Sequence, residues 1–183
     1  MTSETPDGWE DRLRANRAEK DRFFGRHRQS PIPPDRREDF DGLEYYDPAP
    51  AYHVEAVVTV HDDPELVDVD TTDGRTVDYR RVVTLLFDLD GASHELHGYR
   101  REDEDTESVF VPFRDKTTGQ QTYQGGRYME LEPEQELADG DRVTVDFNLA
   151  YSPFCAYNET FACPLPPEEN WLATAVEAGE RVS

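Results

Sequence analysis

Residues 76–89 read TVDYRRVVTLLFDL. Val77, Tyr79, Val83, Leu85, Phe87 and Leu89 share one face of an extended chain, because successive side chains of a strand point to opposite sides. Asp73-Gly74 precedes the run and Asp90-Gly91 follows it, and Asp-Gly is a strong signal for a tight hairpin. The alternation continues outward on both sides. Upstream, Tyr52, Val54, Ala56, Val58 and Val60 share a face, and Val67 and Val69 resume the pattern. Downstream, 94–100 reads as a shorter strand, and Val109, Val111 and Phe113 as another. Pro112 there suggests an edge position or a strand end. A further strand begins at Val143, and Trp171 to Val176 reads as a last short one. The fold class is mainly β: an antiparallel sheet closed as a barrel or folded as a sandwich, with an N-terminal α-helix.

That helix reads over residues 6–29, with Asp7 as its cap and Phe23–Phe24 as its packing end. Arg12, Arg14, Arg17 and Lys20 alternate with acids, a pattern that suits an exposed face of i,i+4 pairs. Pro31, Pro33 and Pro34 stop it. The expected organisation is a helix and proline-rich stop over 1–34, then a single β domain over 35–183. One domain is what 183 residues comfortably support. An acidic, solvated loop is expected over 101–108.

The formal net charge is −22, from 41 acidic and 19 basic residues. Lysine occurs only as Lys20 and Lys116. Low hydrophobicity with high charge is a signature of disorder, but the periodic strands argue against it. A halophile's cytoplasm fits better. At molar salt the Debye length falls to about 3 Å, so carboxylate repulsion is screened while the hydrated surface stays soluble. No basic patch exists to release counterions from nucleic acid, so no nucleic-acid partner is expected. The sequence shows no apolar signal segment and no membrane-length apolar run, so the expected location is cytoplasmic, with no membrane partner.

Two stretches could carry chemistry. Residues 114–128, RDKTTGQQTYQGGRY, form a polar loop bracketed by glycines and ending in Arg127, whose guanidinium fork suits a carboxylate or phosphate. Residues 143–167, VTVDFNLAYSPFCAYNETFACPLPP, carry almost no charge after Asp146. Asp146 and Asn148 share the polar face of its strand, with Arg127 as the expected partner of Asp146. Cys155 and Cys163 could form a disulfide, be two buried free thiols, or supply half a metal site. The buried thiol pair is favoured, and no metal site is expected, since zinc needs more ligands than two. His94 and His97 fall on opposite strand faces, and His27, His53 and His61 read as surface residues. Walker, Rossmann and nucleophile-elbow signatures are missing.

In combination, several motifs resemble a family of uncharacterised bacterial and archaeal proteins, domain of unknown function 1684. They are Phe110-Val111-Pro112-Phe113-Arg114-Asp115, Thr118-Gly119, Gly126-Arg127-Tyr128, Asp146-Phe147-Asn148, Cys155-Ala156-Tyr157 and Cys163-Pro164-Leu165-Pro166-Pro167. Lys20-Asp21-Arg22-Phe23-Phe24 and Gly42-Leu43 carry the likeness towards the N-terminus. The resemblance implies that Arg127, Asp146 and Asn148 belong to one site, but it brings no activity. Ser152 stands where the family pattern usually has asparagine, and Leu149 where it often has a basic residue.

The resulting expectation is a binding module for a small polar or anionic ligand. Its pocket would lie between the 114–128 loop and the 143–167 segment. Tyr123, Arg127, Asp146, Asn148 and Tyr151 would bind, while Cys155, Cys163, Pro164, Gly125 and Gly126 would be structural. Two alternatives stand beside it. One is a hydrolase with Asp146 or Glu169 as base and Arg127 holding an anion. The other is a structural plug with no ligand. No cofactor and no oligomeric state can be read from the sequence.

Overall fold

The computed structural model describes residues 5–104 and 107–182. Helix α1 (Trp9–Arg26) is followed by β1 (Glu44–Tyr45), β2 (His53–Asp70), β3 (Thr76–Leu89) and β4 (Ala92–Arg101). Then come β5 (Val109–Phe113), β6 (Arg127–Leu131), β7 (Arg142–Asp146) and β8 (Glu180–Arg181). Six strands form one antiparallel half-barrel sheet in the order β6-β5-β4-β3-β2-β7, and β1 pairs with β8 in a second, two-stranded sheet.

The alternation read at 76–89 sets the core. Val83, Leu85, Phe87 and Leu89 are buried with Val54, Ala56, Val58, Leu96, Val111 and Phe113, and Leu172, Val176 and Ala178 from the C-terminal segment pack into the same cluster. The 52–60 and 67–69 runs belong to one long strand, with an irregularity between Val60 and Glu65. Strand β6 begins at the end of the stretch taken from sequence as loop, at Arg127 and Tyr128, and runs on to Leu131. Its Arg127, Tyr128 and Met129 are all buried, so it shows no alternation to read. Residues 171–176 are not a strand: only Trp171 bridges, in parallel, to Arg114. The expected loop over 101–108 includes residues 105 and 106, which lie outside the described residues.

Pro112 is not at an edge, since β5 lies between β4 and β6. The two facing strands β4 and β5 pair only at Tyr99–Phe110, and Asn170 fills the gap beyond. Its amide nitrogen donates to the carbonyls of His97 (2.9 Å) and Pro112 (2.7 Å), and its oxygen accepts from the His97 N–H (2.8 Å). A strand residue's N–H and C=O point to the same side, so the N–H that proline lacks would have faced this amide.

Helix α1 starts after Gly8, with no side-chain cap, so Asp7 does not serve as one. Nor does it pack only at one end. Leu13 and Phe24 are buried. Between them Arg17 reaches the Tyr46 carbonyl (2.8 Å) and Lys20 pairs with Glu180. Those two cations therefore face the sheet, and the sequence expectation of an exposed row is corrected: their spacing matches the apolar stripe and their long stems carry the charge to buried acceptors.

Candidate functional site

The five predicted ligand residues do not converge. Arg127 opens β6 with its side chain fully buried. Its guanidinium donates to the carbonyls of Val176 (2.9 Å), Ala178 (2.5 Å) and Glu180 (3.2 Å), and its ion partner is Asp115 (3.6 Å), not Asp146. Asp115 in turn accepts from the Val176 N–H (2.6 Å) and the Thr117 hydroxyl (2.9 Å). Burial pulls the Arg127 pKa down, and the Asp115 charge opposes this. Together they hold residues 176–180 against the sheet, which leaves no guanidinium face for a ligand.

Asp146 and Asn148 form a second anchor. The Trp9 indole N–H donates to Asp146 (2.7 Å), whose other oxygen accepts from the Asn148 amide (2.8 Å) and backbone N–H (3.0 Å). The Asn148 side chain also pairs with both the N–H and the C=O of Ala49 (2.9 Å each). Half-buried Asp146 and buried Asn148 tie the helix and the 45–49 linker to the end of β7. His53, expected at the surface, is buried there with its ring against Trp9.

Tyr151 donates to Glu130 (2.6 Å) and its backbone bridges Tyr128 of β6. It lines a cleft of about 330 Å³ with Tyr79, Tyr99, Phe110 and Tyr128. Tyr123 lines a different cleft, of about 550 Å³. The walls of this larger cleft come from the β2–β3 turn (Thr72, Arg75), the loop after β5 (Arg114, Tyr123) and the segment after β7 (Cys155, Phe161). Of the expected ligand residues, only Tyr123 is in it. The glycines beside Tyr123 shape the wall. Gly126 has φ +89°, and a Cβ there would lie 2.7 Å from the Pro166 ring and 2.8 Å from the Phe113 carbonyl. Pro164 accepts from the Tyr128 hydroxyl (2.5 Å) and bridges Thr71.

Cys155 and Cys163 are buried free thiols in one cluster with Tyr128. The Cys163 thiol, with help from the Tyr123 and Thr72 hydroxyls, holds the Cys155 pKa well below the ordinary thiol value, and the Cys163 pKa is raised in exchange. Such a pair shares one proton readily and resists losing the second. Among the described residues no group of three or more His, Cys, Asp or Glu is placed to hold a metal ion.

One polar cluster escaped the sequence reading. Thr84 of β3 touches His61 Nε2 (2.8 Å) and His97 Nδ1 (2.9 Å), and His97 Nε2 lies 3.8 Å from Glu169. Glu169 also accepts from the Tyr99 hydroxyl and pairs with Arg81 (2.8 Å). His61, Thr84 and His97 stand 23 and 13 residues apart, brought side by side by strand register alone. Only Thr59↔Thr84 and Thr84↔His97 pairing could have revealed it.

The family described as protein of unknown function, DUF1684, matches residues 38–181. The solution NMR structure of an uncharacterized protein of Haloarcula marismortui is similar at 66% identity, covering 96% of this chain and 95% of that chain, with a TM-score of 0.76. That likeness is consistent with a halophilic archaeal member. No curated protein matches. Among the described residues, no helix is long and apolar enough to cross a membrane.

Proposed function

For a chain that belongs to DUF1684, a family of proteins of unknown function, we propose the role of a binding module that takes a small anionic molecule in the 550 Å³ cleft beside Tyr123. One observation carries the reading. Arg114 lines that cleft with its guanidinium stacked 4.9 Å from the Trp171 ring, and no carboxylate lies within ion-pair distance of it among the described residues. A guanidinium that lines a cleft, is held by an aromatic ring and has no carboxylate at ion-pair distance suits an anion from outside. The cleft has the size of ordinary small-molecule sites. The Tyr123 and Thr72 hydroxyls supply neutral hydrogen-bonding groups on two of its walls, beside Asp73, which is paired with Arg75, and Glu159. The hydrolase alternative loses support, because Arg127 is occupied by backbone carbonyls and Asp146 by Trp9 and Asn148.

Thermal melts at fixed high KCl test it, with a panel of di- and tricarboxylates and phosphate monoesters at millimolar concentration. At least one should raise the Tm of the parent chain and fail to raise that of Arg114→Gln. A panel with no shift, or a shift that survives in Arg114→Gln, overturns the reading.

A further inference from the structure

We propose that Cys155 and Cys163 form a redox-active dithiol, with Cys155 as the nucleophile that exchanges with low-molecular-weight disulfides entering the same cleft. The inference goes beyond anion binding and does not require it.

Three structural observations carry it. The thiols come from one irregular segment and meet in one buried cluster, so a bond between them needs no long-range rearrangement. The segment is held on both sides: the Cys163 N–H donates to the Thr72 hydroxyl (3.1 Å), the Thr72 N–H to the Cys163 carbonyl (3.0 Å), and Leu165 to the Asp70 carbonyl. Both cysteines are equally buried, at 7% exposure, but only Cys155 lines the 550 Å³ cleft, which places it nearer a molecule bound there. A cysteine that lines a cleft and lies in one cluster with a second thiol and Tyr123, which hold its pKa down, fits a stabilised thiolate with a resolving partner beside it. The cleft is also far larger than a peroxide needs, which favours a disulfide as the oxidant.

The chemistry balances without any further reagent. The Cys155 thiolate attacks one sulfur of R–S–S–R; the new S–S bond forms as the old one breaks, and RS⁻ departs. The Cys163 thiol then gives its proton to the departing thiolate and attacks the Cys155 sulfur, expelling the second RS⁻. Two protein thiols become one disulfide while one small disulfide becomes two thiols.

The test uses the full chain, folded in high KCl, with oxidised glutathione in one arm and the neutral 2-hydroxyethyl disulfide in the other, and trapping of remaining thiols before mass spectrometry. The expected product is a chain that has lost two hydrogens and both trappable thiols. Cys163→Ser should instead accumulate one mixed disulfide on Cys155, and Cys155→Ser should stay unreacted. Should either variant fail to fold, the parent alone decides through the pH profile of iodoacetamide alkylation. The first modification should fall on Cys155 with a midpoint below pH 7, against about 8.5 for a free thiol, and Tyr123→Phe should move that midpoint upward. Closure by either disulfide supports the dithiol. No closure with both, or alkylation of both cysteines only on unfolding, overturns it. The neutral arm needs no cation, so the dithiol can fail while anion binding stands, and the reverse.

Discussion

Truncating Arg127 to alanine should cost the fold about 4 kcal/mol, where a ligand-holding arginine would cost it almost nothing. The side chains of Arg127 and Asp115 are both fully buried, 3.6 Å apart. Removing one member of a buried pair costs about 3–5 kcal/mol, because the remaining charge stays desolvated. Three carbonyls, of Val176, Ala178 and Glu180, also lose their donor. Each hydrogen bond to a charged group is worth about 1.5–3 kcal/mol. The terms do not simply add, since water can enter the space vacated and Asp115 keeps its bonds to Thr117 and the Val176 N–H. A net loss near the middle of the pair-breaking range follows, and domains of this size carry only about 5–15 kcal/mol in total. Thermal melts should drop by about 8–16 °C, taking about 2–4 °C per kcal/mol. The assay is urea unfolding at one fixed KCl concentration for the parent, Arg127→Ala, Asp115→Asn and the double variant. The cycle should return a coupling above about 1 kcal/mol, as expected for residues in contact. An Arg127→Ala chain that melts within about 2 °C of the parent, or a cycle with no coupling, refutes the clamp.

Two further outcomes follow from charge. With net charge −22 spread along the chain, the urea midpoint should rise steadily as KCl goes from low to molar concentration, and a midpoint indifferent to KCl would remove the halophile reading. Burial lowers the His97 pKa below its usual 6.5 against the opposing pull of Glu169, with Arg81, Glu95 and His61 also facing the ring. A histidine whose folded pKa is depressed contributes stability that is fully present above about 6.5 and is lost as pH falls through the lower folded value. At fixed high KCl the urea midpoint should therefore fall as pH drops below about 6.5, and His97→Gln should flatten that slope; equal slopes in both chains would rule it out.

The half-barrel was legible because alternation at 52–60 and 76–89 is a local signal, set by the two-residue period of an extended chain. The Asp-Gly turn at 73–74 was legible for the same reason, since the turn's backbone demands are met by adjacent residues. Strand β6 was not, because residues buried on both faces do not alternate. A cleft runs between the 114–128 loop and the 143–167 segment, but of the five residues expected to bind a ligand only Tyr123 lines it. Arg127 and Arg114 are the same residue type on the same loop, and nothing local separates the one folded inward onto carbonyls from the one left against Trp171.

The sequence by itself determined the net charge, the strand periods, the helix and the family likeness, because composition and period are properties of neighbouring residues. Only the tertiary structure decided which polar groups bind the protein to itself. Asp146 meets Trp9 across 137 residues and Asn170 meets His97 across 73. A hydrogen-bonding group is available to a ligand only if no distant backbone or side chain already satisfies it, and that accounting closes in three dimensions, not along the chain.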